Sequence, residues 1–234
     1  MLKAKLGDSF LFSWVVAPIV LRSHSDNKKL ICPRCNTPLI FVESEDRINH
    51  FRHHANIDCW AGGESNPIHD RMEMEMARSL ESAGYVVDIE KTFKFGTHKR
   101  IADVYGKHPK TGHEIVIEVQ YKHVNVDVLQ KTKDFNSKKI NIIWVFYDPE
   151  GKPKRDLLSY ARSISSLCFL YNEEAEAIDF VRIFARHKRK QCIYEGSWQE
   201  DYNNFKWTIK GIVDSVPFSE FITYWKKIKG ADQK

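Results

Sequence analysis

Cysteine is scarce in this chain, five in 234 residues, and the number is odd. A small secreted scaffold held together by disulfides needs more cysteines, in pairs, so the composition argues against that class. There is also no low-complexity tract, no internal repeat and no apolar run long enough to span a bilayer. The nearest candidate, 10–21, lies behind Lys3 and Lys5 as the core of a signal peptide would. Asp8 and Pro18 break that pattern, no small-x-small cleavage site follows, and about twelve residues fall short of the roughly 20 that a spanning helix needs. The segment reads as strands leading into the next module, in a cytoplasmic protein with no membrane partner. A large excess of one charge is missing too: 36 Lys and Arg stand against 31 Asp and Glu, net +5. That balance suits a nucleic-acid partner without requiring one. The basic residues gather in two runs, Lys91, Lys94, His98, Lys99 and Arg100, and then His187, Lys188, Arg189 and Lys190. A solvated face would explain either run equally well.

Against that scarcity, three of the five cysteines stand in order with a histidine. Cys32, Cys35, His53 and Cys59 are spaced C-x2-C-x17-H-x5-C. Thiolate and imidazole are the ligands that zinc takes in closed tetrahedral structural sites. Pro33 fixes φ between the first two ligands, and Asn36 tolerates the turn that must follow, so the segment bends as a knuckle with both sulfurs inward. His50 and His54 are alternatives to His53. On an extended segment His50 and His53 point to opposite faces and would not share one ion. A redox CxxC would need neither the later histidine nor the later cysteine. Cys168 and Cys192 have no such partners and read as isolated thiols.

After Cys59 the texture changes. Ala61, Gly62 and Gly63 form a loop, Glu64, Ser65 and Asn66 offer N-cap chemistry, and Pro67 suits the first turn of a helix. The apolar positions Ile68, Met72, Met76, Leu80 and Ala83 predict a helix over 68–83 that Gly84 ends, with His69 and Glu73 on another face. Three strands follow, over 85–90, 100–105 and 114–120, with Gly96, Gly106 and Gly112 marking their edges. A helix over 125–135, with Val128 and Leu129 inward, leads to the apolar run 140–147, a strand buried on both faces. The order is α-β-β-β-α-β, an α/β fold.

Two carboxylates stand out in that order. Asp103 lies within the second strand and Glu118 within the third, fifteen positions apart. Adjacent antiparallel strands can bring both to one face, close enough to share a magnesium ion. Either acid alone would pass for an exposed strand residue in a surface ion pair.

The ordered set C-P-x-C, His-Phe-x-His, Cys, Glu-Ser, His, R-x-A-D-V at 100–104, I-E-V-Q at 117–120 and a later I-x-W resembles the CoiA-like family, named for a bacterial competence protein. Its core resembles that of the PD-(D/E)XK nucleases. The resemblance covers 28–147 and implies a zinc-finger-like module over 1–62, a nuclease-like core over 63–150 and a C-terminal extension over 151–234. It implies a metal-dependent DNA endonuclease in which Asp103, Glu118 and the backbone of Val119 hold Mg2+ or Mn2+. Gln120 stands where many relatives have lysine, and Glu64 and His69 stand beside the site at the helix start. The pathways implied are DNA uptake, recombination or phage defence, on single- or double-stranded DNA, with a protein partner or a second copy of the chain as further partners. Glu73 takes a place where lysine is common in the family, and Lys131 and Lys133 lie near an expected arginine. A glutamine cannot carry the ammonium of the lysine-bearing relatives, though its amide can donate a hydrogen bond. That difference leaves a second expectation, a DNA-binding accessory protein of nuclease fold without catalysis.

Beyond residue 150, a linker or turn at 151–154 precedes a predicted helix over 173–185. The aromatic tail of Trp198, Tyr202, Phe205, Trp207, Phe218, Phe221, Tyr224 and Trp225 reads as packing for a small core, with stacking on single-stranded bases as the alternative.

Overall fold

The computed structural model describes residues 1–45, 48–55, 57, 59, 66–121, 128–147, 167–187, 193–195 and 205–231. It falls into two units, Met1–Met74 and Glu75–Lys234. The division lies inside the helix Pro67–Ser82.

The N-terminal unit begins with strands β1 (Lys3–Leu6) and β2 (Ser9–Phe12), an antiparallel hairpin turned at Gly7, whose φ of +58° favours glycine. Helix α1 follows at Pro18–Asp26, where the sequence predicts strand. Pro18 accounts for the difference: its ring presets a helical φ at the first turn, and its missing N–H is one the helix would not have paired. Leu21 is buried, whereas Ile19 and Val20 are exposed. A second antiparallel hairpin, β3 (Leu39–Val42) with β4 (His50–His53), completes the unit. Its core is Ala4, Leu21, Leu30, Leu39, Phe41 and Phe51, with Cys32 and Cys59 at its edge.

Helix α2 (Pro67–Ser82) is capped by Asn66, whose Oδ1 accepts the N–H of Ile68 at 3.0 Å and of His69 at 3.4 Å. Gly84, at φ +84°, closes its other end. Its burial is wider than the predicted stripe, taking in Met72, Glu73, Met74, Met76, Ala77, Ser79 and Leu80.

The C-terminal unit is built on one eight-stranded sheet. Strands β5 (Val86–Phe95), β6 (His98–Lys107) and β7 (Glu114–Tyr121) form an antiparallel meander. Helix α3 (Val128–Ser137) then crosses over to β8 (Asn141–Tyr147), which pairs parallel with β7. Parallel neighbours require such a crossover. Residues 115–119 and 142–146 are buried without alternation, as strands covered on both faces must be. Strands β9 (Leu167–Asn172), β10 (Ala177–His187), β11 (Ile193–Glu195) and β12 (Phe205–Pro217) continue the same sheet. Phe218–Glu220 forms a 3-10 turn, and α4 (Phe221–Ala231) ends the described chain.

Three further expectations change. The segment 173–185 is a turn followed by β10, not a helix, because Ile178, Phe180, Val181, Ile183 and Phe184 suit a strand paired with β9 on one side and β12 on the other. Leu129 is exposed, and α3 turns Val128, Thr132, Asp134 and Phe135 inward instead. Gly106 does not break a strand but lies within β6, where an added Cβ would meet Leu80 Cδ1 at 3.1 Å and Tyr85 Cβ at 3.2 Å. Glycine there lets α2 approach the sheet closely. The last aromatics of the tail pack: Phe221 contacts Phe169 and Phe180, Phe218 stacks on Tyr171, Tyr224 meets Phe180, and Trp225 is buried. Trp198 and Tyr202 lie outside the described residues. So do Lys188, Arg189 and Lys190.

Asp134 ties α3 to β6. It accepts from Gln130 at 2.9 Å, Arg100 Nε at 2.7 Å and His98 at 3.1 Å. Burial works against its charge, but Gln130, Arg100 and His98 together hold the carboxyl down at about 2. A depressed acid stabilises the fold fully above its ordinary value and loses that contribution as pH falls through about 4 towards 2. Asp134→Asn is therefore expected to cost about 2 kcal/mol at pH 7 and to flatten the acid limb of a urea-melt stability profile. Gly106→Ala should lower stability by about 1–3 kcal/mol in the same melts, since Leu80 and Tyr85 must give way.

Candidate metal centres

The four residues of the cysteine motif meet in the N-terminal unit. One ligand atom each from Cys32, Cys35, His53 and Cys59 lies within 4.8 Å of all the others, and the three cysteines are free thiols. The knuckle supplies the geometry. Cys32 N–H donates to the Thr37 carbonyl at 2.8 Å, Asn36 N–H donates to the Cys32 carbonyl at 3.0 Å, and Asn36 takes φ +57°. Arg34 N–H points at the Cys32 sulfur, 3.4 Å away. The β3–β4 hairpin then carries His53 to the knuckle, with Nε2 3.3 Å from Cys35 Sγ. Ligands at about 2.3 and 2.0 Å on a tetrahedral ion would lie roughly 3.6 Å apart, so this edge is nearly of the right length. His50 turns to the Ile48 carbonyl at 3.1 Å and is not in the cluster.

The thiols are tuned against each other. Burial pushes Cys32 up to about 11. Burial also opposes a charge on Cys35, but hydrogen bonds from the Thr37 hydroxyl and backbone, with Cys32 and Cys59 behind them, bring it down to about 6. Near neutral pH one sulfur is a thiolate while its neighbour keeps a proton. Three sulfurs and one imidazole in this arrangement can bind a metal ion such as zinc.

A second arrangement lies in the C-terminal unit. Beyond Val104 the pairing of β6 with β7 stops, and the strands part. Asp103 stands at the opening and accepts the Val119 N–H through Oδ2 at 2.9 Å, so a carboxylate replaces the missing ladder bond. Glu118 pairs with Trp144 of β8 and is fully buried. Its Oε2 accepts from Lys131 of α3, whereas its Oε1 is buried with no hydrogen-bond partner among the described residues. Burial first, and the Asp103 charge second, push the Glu118 carboxyl well above its ordinary range. Burial works against the Lys131 ammonium, but Glu118 and Asp103 more than offset it and raise its pKa. Two carboxylates, one fully buried and one half-buried, thus stand near one ammonium, an arrangement that favours a further proton or positive charge.

Asp103, Glu118 and the Val119 N–H therefore lie together, and Gln120 follows on the same strand opposite Phe146. Lys131 is the member that the motifs left least defined. Its only signal was its position on the helix after β7, and only packing could select it over Lys133, which is exposed. His69 lies in the N-terminal unit, its Nδ1 3.7 Å from Glu73 Oε1 and near buried Asp70. Glu64 lies outside the described residues. No helix among the described residues is long and apolar enough to cross a membrane.

No family model and no curated protein matches the chain. A solved structure described as a protein of unknown function, AF1548, is similar over 34% of this chain at 16% identity, with a TM-score of 0.26. The chain spans 46% of that protein, and the likeness is too slight to indicate a shared fold.

The full chain is expected to hold one equivalent of metal at the cysteine cluster. Cys59→Ser or His53→Ala should cost at least tenfold in affinity, whereas His50→Ala should leave it unchanged. Because a proton on Cys32 competes with the metal, affinity should fall as pH drops from 8 to 6. Competition titrations with a chromogenic chelator measure all three.

Proposed function

We propose that this protein is a metal-dependent DNA endonuclease with a PD-(D/E)XK-type core and a structural zinc module, as the resemblance to the CoiA-like family implies. One observation carries the reading: Glu118 is fully buried with Oε1 unpartnered, beside Asp103, at the point where β6 and β7 separate. Leaving a buried carboxylate oxygen unsatisfied costs several kcal/mol, on the order of a lost charged hydrogen bond or more, unless a proton or cation meets it. Oxygen donors of this kind fit a hard divalent cation.

Asp103 and Glu118 Oε1 would hold the ion, with the Val119 backbone beside them. When bound, Mg2+ or Mn2+ supplies relief of phosphate charge and a more acidic water. The protein's own groups do the rest. Val119 N–H orients Asp103, and Lys131 fixes the other oxygen of Glu118 while keeping an ammonium next to the acids. That ammonium supplies the charge Gln120 lacks. The Gln120 amide can donate to a water or to a phosphate oxygen. The zinc cluster closes the N-terminal unit with protein ligands alone, which suits a structural ion.

The Lys131–Glu118 pair also supports the second reading, an inactive DNA-binding accessory, because an internal ammonium already neutralises part of the acid pair without a metal. Cleavage separates the two. In Mg2+ or Mn2+ the wild-type chain should nick supercoiled plasmid, and Asp103→Ala and Glu118→Ala should each lower the rate at least about a hundredfold. Lys131→Met should lower it comparably, with Lys133→Met near wild type. Nicking at wild-type rates by both acid variants would refute the enzyme, and binding without cleavage by the wild-type chain would establish the accessory.

A further inference from the structure

Residues 91–102 form a ribbon with a composition unlike the rest of the sheet. Among these twelve residues there are four Lys or Arg, one His and no Asp or Glu. Only β5 and β6 pair here: β6 meets β7 only from Val104 onward, and β5 is the edge of the sheet. The ribbon starts at an irregularity. Its ladder passes from Ile89↔Val104 to Lys91↔Ala102, and Glu90 between them takes φ +50°, in the left-handed region where a side chain is strained. The register carries on unshifted past the skipped pair of Glu90 and Asp103, so this is a local break in the ladder with no inserted residue, and strained backbone of this kind clusters at active sites.

The two faces of the ribbon differ. On one, Phe93 and Phe95 meet Phe135 at 5.3 and 5.4 Å, and His98 and Arg100 reach Asp134, so α3 covers that face. On the other, Lys94 and Lys99 are exposed and stand directly opposite each other in the register. Like charges directly opposite each other in a ladder lie at a Cβ separation of roughly 5 Å, so the two ammonium groups concentrate positive charge at one place on this face. Lys138 lies on the α3 side, its ammonium 5.2 Å from the Phe95 ring, and does not belong to this face. The strand carrying His98, Lys99 and Arg100 runs directly into Asp103.

We infer that this ribbon is the duplex-binding element of the protein, with Lys94 and Lys99 on the phosphate backbone flanking the bond presented at Asp103 and Glu118. The inference rests on the nucleic-acid reading above and adds the surface and the form of substrate. A two-stranded ribbon is narrow enough to enter a major groove about 12 Å wide. From Asp103 to His98, five residues at about 3.3 Å each match roughly five nucleotides at 3.4 Å along one strand. Phosphate contacts at these exposed ammonium groups make affinity depend on salt.

The test is a salt titration of binding to a fluorescent 30-base-pair duplex, without added divalent ion, for the wild-type full chain and two double variants. Each phosphate contact contributes about 0.9 to the slope of log affinity against log salt. Lys94→Ala/Lys99→Ala should flatten the slope by about 2, while Lys107→Ala/Lys110→Ala, at the far end of β6, should keep it. An unchanged slope for the ribbon variant, or equal flattening in both, overturns the ribbon and leaves the nuclease reading standing. Tighter binding of the wild-type chain to a single strand than to the duplex overturns the duplex assignment. A wild-type chain that binds neither overturns both readings.

Discussion

The C-terminal unit depends on one substitution of hydrogen-bond partners: where β6 leaves β7, the Asp103 carboxylate takes the Val119 N–H that a neighbouring strand would have taken. A sheet can open only if its backbone groups find other partners. By filling that role Asp103 allows a gap in the middle of a buried sheet, and into the gap Glu118 brings a second carboxylate. Glu118 is fully buried while Asp103 is half-buried, and Ala102, Val116, Phe135, Trp144 and Phe146 form a hydrophobic cluster in the same unit. Low polarity then magnifies every charge, which is why Glu118 resists ionisation and why Lys131 is held as an ammonium.

The same reasoning sets the cysteine cluster apart. There the unit is small, its core is eight residues, and two of those are the ligands Cys32 and Cys59. A core of that size stabilises little by burial alone. A metal ion bound there would join the knuckle to the β3–β4 hairpin and to Cys59. The two clusters therefore differ in kind: one gathers sulfur and nitrogen, the other carboxylate oxygen beside an ammonium.

Much of this was legible from residues alone. The C-x2-C knuckle, His53 and Cys59 were readable because ligand chemistry restricts both residue type and spacing, and Asn36 at φ +57° is the turn its side chain tolerates. The α-β-β-β-α-β order followed from periodicity and turn residues. Errors arose where local pattern and tertiary setting disagree. Residues 173–185 open with the helix formers Glu and Ala, yet 173–176 form a turn and the rest joins β10, because two neighbours supply ladder bonds. Leu129 is apolar but lies on the outer side of α3, and Gly106, which resembles a break, lies inside β6 where an added Cβ would come within 3.1 Å of the Leu80 side chain.

By itself the sequence picked out the four residues that gather in the cysteine cluster and the two strand acids, since each is a matter of residue type at a given separation along a chain whose local geometry is regular. Tertiary structure decided which charge meets them. Lys131 and Lys133 are equivalent on paper, two positions apart on one short helix, and only the docking of α3 against Trp144 turns one towards Glu118 and the other to solvent. It also decided that one oxygen of Glu118 is satisfied and the other is not. Satisfaction depends on what surrounds an atom in three dimensions, and spacing along the chain carries no record of it.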